Sequence, residues 1–131
     1  MKSKIETVQD AFALLGRDYN ALPEVSMLPE DLGSFLTNTY LLATVIEAKN
    51  YEANDNKPWI PDYTNWEEDK YEPSMYMGKD SSGSGFSCND YDLWSTGSYS
   101  GSRFCFINYE VMKDVTTSPV FVELYKKVFL R

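Results

Sequence analysis

The spacing of apolar residues changes twice along this chain. Val8, Ala11, Phe12 and Leu15 recur three and four residues apart, which is one face of a helix. Ser3 and Glu6 stand at capping-box spacing ahead of them, and Gly16 suits a C-terminal stop, so a first helix is predicted to end there. Residues 17–28, which contain Pro23, read as a connector. Pro29 fits the first position of a second helix, with Glu30 and Asp31 near its positive end. Leu32, Phe35, Leu36, Thr39, Leu42, Ala43 and Ile46 form one stripe. Leu41 and Val45 widen it, which predicts a helix covered on more than one side. Gly33 weakens its first turn by up to about 1 kcal/mol, and the helix is expected to fade over residues 49–54.

From residue 58 to 101 the helical period is lost. Trp59, Tyr63, Trp66, Tyr71, Tyr76, Phe86, Tyr91, Trp94 and Tyr99 are separated by Gly, Ser, Asn, Asp and Pro, the grammar of short strands and tight loops. Residues 59–63 read as extended because Ile60 precedes a proline. Residues 71–77 predict a strand, with Pro73 marking an edge or a strand start. Residues 80–85 predict a turn, and residues 86–88 and 103–107 predict further strands, with Phe104 and Phe106 on one face opposite Cys105. The end returns to helix. Ser118 caps it, Pro119 fits its first turn, Val120, Phe121, Leu124, Val128 and Phe129 give the apolar face, and Lys126, Lys127 and Arg131 favour its negative end.

This order predicts an α+β fold in a single domain, residues 1–131: two N-terminal helices in residues 1–55, a small antiparallel sheet with aromatic-rich loops in residues 58–110, and a C-terminal helix in residues 117–131. A chain of 131 residues buries about two-thirds of its unfolded surface, enough for one core without a metal or disulfide framework. The 43% apolar and 15% aromatic content excludes disorder throughout.

Charge narrows the function classes. Twelve cations against 20 carboxylates give a net charge of −8, which argues against tracking the phosphates of duplex DNA. The absence of histidine removes Ser-His-Asp and Cys-His devices and every zinc site with a His ligand, and two cysteines are too few for an all-thiolate zinc site. The chemistry therefore leans away from an enzyme, with no cofactor, metal or catalytic residue indicated. The N-terminal residues turn polar and acidic where a signal peptide needs an apolar run, and the longest apolar-leaning stretch, residues 40–48, is far short of the ~20 residues of a membrane span. A cytoplasmic protein with no membrane partner is the expectation, with Cys88 and Cys105 as reduced thiols packed as small hydrophobes.

Three motifs invite chemistry. Residues 78–85 resemble a phosphate loop, but Lys79 is not followed by Ser or Thr, and a strand follows where a helix is needed; a hairpin connection is the reading. Asp90 and Asp92 fall on one side of an extended segment without an EF-hand pattern, and read as loop-capping carboxylates. Glu67, Glu68, Asp69 and Glu72 form an acidic cluster, in which Lys70 offsets local repulsion; they read as a solvated turn, with glycoside hydrolysis as the chemical alternative. The aromatics are the more informative set. Trp66, Tyr91, Trp94 and Tyr99 are surrounded by loop residues, and with Arg103 they form the candidate binding surface.

The middle of the chain resembles a group of small uncharacterised proteins of phages and prophages from gut anaerobes. The matching stretches are Trp59-Ile60-Pro61-Asp62-Tyr63-Thr64-Asn65, Lys70-Tyr71 with Pro73, Ser82-Gly83-Ser84-Gly85-Phe86-Ser87, Tyr91-Asp92-Leu93-Trp94, Gly101-Ser102-Arg103-Phe104-Cys105-Phe106 and Glu123-Leu124-Tyr125-Lys126. The chain departs from that pattern at Glu72, Ser74, Met75 and Pro119. The resemblance implies a setting and an architecture, and no catalytic residue. The expected function is a non-enzymatic protein-binding or adaptor domain, its partner an unidentified protein. The alternatives are a nucleic-acid-related role, by single-strand contact through Arg103, Lys113, Lys126 and Lys127 or by charge mimicry, and a carboxylate-dependent sugar hydrolase.

Overall fold

A computed structural model describes residues 3–62, 64–65, 67–76, 87–94 and 104–129, with 74–76 and 87–94 described as backbone alone. Helix α1 (Val8–Leu14) starts four residues later than the Ser3/Glu6 spacing predicts. Its capping box is Thr7 with Asp10: Thr7 Oγ1 accepts from the Asp10 N–H at 3.1 Å, and Asp10 Oδ2 accepts from the Thr7 N–H at 3.1 Å. The Asp10 carboxylate also takes the Glu6 N–H, and these bonds, Glu6 foremost, hold its pKa below the usual carboxylate value. Ser3 is diverted from capping because its hydroxyl is bound to Glu52, far along the chain. Gly16 does stop the helix. At φ +69° it takes the left-handed position of a Schellman motif, with Arg17 N–H on Phe12 C=O at 2.9 Å and Gly16 N–H on Ala13 C=O at 3.2 Å.

Helix α2 (Glu30–Ala53) has 24 residues, about 36 Å at 1.5 Å per residue. Pro29 is its N-cap. The helix runs to the end of the region where fading was expected, because Asp55 and Asn56 both adopt φ 57° and return the Asn56 N–H to Tyr51 C=O at 2.9 Å. Asp and Asn tolerate this conformation better than other non-glycine residues. Strands β1 (Lys70–Tyr76) and β2 (Ser87–Trp94) pair antiparallel, Lys70 opposite Trp94 and Tyr76 opposite Ser87, with an irregularity between Ser74 and Met75.

Among the described residues the fold is helix-rich, and its β part is one two-stranded ribbon. The third strand expected at 103–107 is not formed over its described residues: the backbone there makes one isolated bridge, Tyr71 with Phe106, at 3.2 and 2.8 Å. Its groups are bonded instead by Asn50 of α2, whose Nδ2 donates to Cys105 C=O at 3.0 Å and whose Oδ1 accepts from the Ile107 N–H at 2.9 Å. One buried amide thus does the work of a neighbouring strand. A further helix not expected from the sequence, α3 (Tyr109–Thr117), precedes the C-terminal helix expected over 117–131, which is α4 (Pro119–Phe129) over its described residues. Asn108 caps α3 by accepting the Val111 N–H at 2.9 Å, and Pro119, which cannot donate, separates the two.

The core lies where the C-terminal half of α2 meets α1, α3 and α4. Leu42, Val45, Ile46 and Ala48 pack with Ala11, Phe106, Met112, Val115, Phe121 and Tyr125. Phe12 is met edge-on by Tyr19 and Tyr40, both at 5.4 Å, and Phe129 stacks on Tyr125 at 5.8 Å.

Candidate functional site

Helix α2 is the element whose surroundings are unequal. Its buried positions are Gly33, Leu42, Thr44, Val45, Ile46, Ala48, Lys49 and Asn50, so from Leu42 onward it is a core helix. Before Leu42 only Gly33 is fully buried, and residues 37–41 are partly buried. A Cβ on Gly33 would meet Val25 Cγ2 at 3.1 Å, so the missing side chain lets the connector lie against the helix. The first turns of α2 carry apolar residues that stay about half open to solvent. Leu32, Phe35 and Leu36 are 49%, 42% and 44% exposed, and Leu28, just ahead of the N-cap Pro29, is 40% exposed. Met27 is 96% exposed and Leu22 39%, extending the surface onto the connector. The stripe itself was legible in the sequence; the expectation of a helix covered on more than one side holds for its C-terminal half, whereas Leu32, Phe35 and Leu36 near its start stay half exposed. Among the described residues, α1, α3 and α4 have 7, 9 and 11 residues against the 24 of α2, and the core they share with it begins at Leu42.

The connector and the first turn of α2 are acidic. In sequence there is no Lys or Arg between Arg17 and Lys49, while Asp18, Glu24 and Glu30 are exposed. The Ser26 side chain and N–H hold the Glu24 carboxyl below its usual pKa. Glu47, the remaining carboxylate of this stretch, binds Arg17 at 2.7 Å, and Arg17 also reaches Thr44 Oγ1 at 3.1 Å.

The interior polar groups have structural explanations. Lys49, 2% exposed, pairs with Asp114, donates to Ser3 Oγ at 2.8 Å and lies over the Phe121 ring at 5.6 Å. Ser3 Oγ in turn donates to Glu52 Oε1 at 2.6 Å. A Ser–Lys nucleophile pair needs the amine to draw a proton from the hydroxyl. Here the donation runs the other way, from Lys49 through Ser3 to Glu52, so the chain is a clasp holding the N-terminal residues and α3 to α2. Lys70, expected to offset repulsion in a solvated turn, is fully buried: its Nζ donates to the carbonyls of Glu68 and Asn65 at 2.9 and 3.3 Å and pairs with Glu68 Oε1 at 3.3 Å. Glu68 is spent as well, accepting the Asp62 N–H at 2.7 Å. Cys105 is free and buried, and burial, reinforced by Glu72, pushes its thiol up to about 12. It is no thiolate nucleophile near neutral pH.

An open cleft of about 410 Å³ lies between α2 and the segment Trp59, Ile60 and Pro61. Its polar residues, Glu47 and Asn50, are the ones already committed to Arg17 and to the 105–107 backbone. It holds one carboxylate, where a glycosidase pair requires two.

Of the residues expected to form the binding surface, Trp66, Tyr99 and Arg103 lie outside the described residues. Tyr91 and Trp94 belong to strand β2, opposite Pro73 and Lys70, not to a loop. Asp90 and Asp92 share that strand, so their reading as loop-capping residues is corrected. The ladder to β1 overrides the loop-like composition around them. The hairpin connection at 78–85 is outside the described residues. Of the expected cations, Lys113 lies over its own helix neighbour Tyr109 at 5.8 Å, and Lys126 pairs with Glu123 at 3.1 Å. Among the described residues no three His, Cys, Asp or Glu side chains could hold a metal, and no helix is long and apolar enough to cross a membrane.

No family model, curated protein or solved structure matches the chain.

Proposed function

We propose that the chain is a non-enzymatic protein-binding or adaptor domain, and that its contact surface is the N-terminal half of α2 with the connector before it. The exposed stripe Leu28, Leu32, Phe35 and Leu36 carries this reading. Fully burying a Leu, Phe or Met side chain stabilises by about 1.5–3 kcal/mol, so covering the exposed halves returns about 1 kcal/mol per residue. Contiguous apolar surface rimmed by polar groups is a common mark of a protein interface. The free, buried Cys105 supports a cytoplasmic setting, and the resemblance to phage and prophage proteins supports expression from a mobile element. Charge mimicry of nucleic acid would use the acidic surface but leaves the apolar stripe without a role.

A photoreactive residue at Leu36, compared with one at Glu123 on α4, tests the reading in cells. The expected result is one adduct specific to the α2 position. The crosslinked protein, purified, should bind the chain with an affinity lowered at least about tenfold by Leu32→Ser/Leu36→Ser, while the melting temperature stays unchanged. Adducts that do not depend on position, or binding untouched by the double variant, would refute it.

A further inference from the structure

The same surface also indicates what covers it. This step rests on the proposed docking role, and we infer that the occupant is a basic amphipathic helix of a partner protein. Within α2, Leu32, Phe35 and Leu36 stand at i, i+3 and i+4 on one face, and Leu28 lies just ahead of the N-cap Pro29. Rows of side chains four apart form the ridges that seat a second helix in the grooves between them. The backbone of α2 is hydrogen-bonded within itself, so it offers an extended peptide no edge to extend. Thr39, at the far end of the stripe, turns its hydroxyl onto Phe35 C=O at 2.6 Å and asks for no polar partner.

Charge selects among helices. Glu24 and Glu30 are exposed in the connector and the first turn of α2, and the sequence has no Lys or Arg between Arg17 and Lys49. A second copy would bring the same carboxylates with no lysine or arginine from this region to answer them, on top of a net charge of −8 per chain. A helix with Lys or Arg beside its apolar face meets both requirements, and its attraction weakens with salt.

The test uses the full chain and three labelled peptides of about 18 residues: a Leu/Lys amphipathic helix, a Leu/Glu peptide with the same apolar positions, and a scrambled Leu/Lys peptide. Anisotropy titrations at about 50 and 300 mM salt should show the Leu/Lys helix binding at least about tenfold tighter than the other two. Leu32→Ser/Leu36→Ser should weaken it at least about tenfold. Glu24→Gln/Glu30→Gln should weaken it several-fold and flatten the salt dependence. Circular dichroism and melting temperature verify that both variants are folded. Equal binding of the Leu/Glu peptide overturns the inference, as does binding unaffected by the double serine variant. No binding of the Leu/Lys helix up to about 1 mM also overturns it, and so does a dimer of the chain abolished by that variant. A specific adduct at position 36 together with any of these results leaves the docking surface standing and removes only its basic helical occupant; loss of that adduct removes the docking surface itself.

Discussion

Replacing Asn50 by alanine tests whether one side chain stands in for a missing strand. Asn50 is 4% exposed and holds Cys105 C=O at 3.0 Å and the Ile107 N–H at 2.9 Å. Truncation leaves both without a partner. Cys105 is fully buried, so its carbonyl carries the full cost of an unmade bond, about 1–3 kcal/mol; Ile107 is half-buried, and water restores part of its loss, leaving about 1 kcal/mol. The sum, about 2–4 kcal/mol, corresponds in a domain of this size to a fall of about 8–15 °C in melting temperature. The control is Asn54→Ala, whose amide makes two exposed bonds at 3.2 Å to Lys57 and Pro58 and whose loss should shift the melt by only a few degrees. Asn50→Asp sharpens the argument. The acceptor for Ile107 survives, but an ionised carboxylate faces the Cys105 carbonyl, whereas a protonated one can donate to it. The folded-state pKa of the new group is therefore raised, the folded protein binds the extra proton, and stability relative to the native chain is lost as pH rises from the unfolded value of about 4 through the folded one. Thermal melts at several pH values read this directly. An Asn50→Ala variant melting within about 3 °C of the native chain, or an Asn50→Asp difference that does not vary with pH, would refute the reasoning.

Two further predictions concern buried groups. Asp114→Ala strands the buried Lys49 ammonium and should cost about 2–4 kcal/mol by denaturant titration, more than Lys49→Met, which removes the charge and leaves Asp114 half in water; the reverse order would sink the clasp reading. In a Cys88→Ser background, Cys105 should resist thiol labelling at pH 8 in the native state and react only when denaturant exposes it, because its thiol is pushed up to about 12. Stoichiometric native labelling would contradict its burial.

Local signals made much of the architecture legible. The 3.6-residue period of residues 8–15 and 30–53 exposed α1 and α2, and Gly16 marked a stop because a left-handed residue there costs glycine little. β1 was found, with Pro73 inside it. Helix α3 was missed because Val115, Thr116 and Thr117 are β-branched, with weak helix propensity, and its apolar positions span scarcely two turns. The available signal was Asn108 as cap with Val111, Met112, Val115 and Thr116 on one side.

What the sequence by itself determined is therefore local: periodicity, caps and stops, an acidic charge, and a chemistry without histidine. Tertiary structure alone decided which groups meet across the chain. Ser3 became a clasp because Glu52 and Lys49 come to it from α2, and residues 104–107 were drawn to Asn50 and away from a sheet. The same holds for the proposed docking surface. One stripe runs the length of α2, and its residues look alike in the sequence. What packs against α2 leaves Leu32, Phe35 and Leu36 half in water and puts Leu42, Val45 and Ile46 in the core, since burial is a property of what packs against a residue and not of the residue itself.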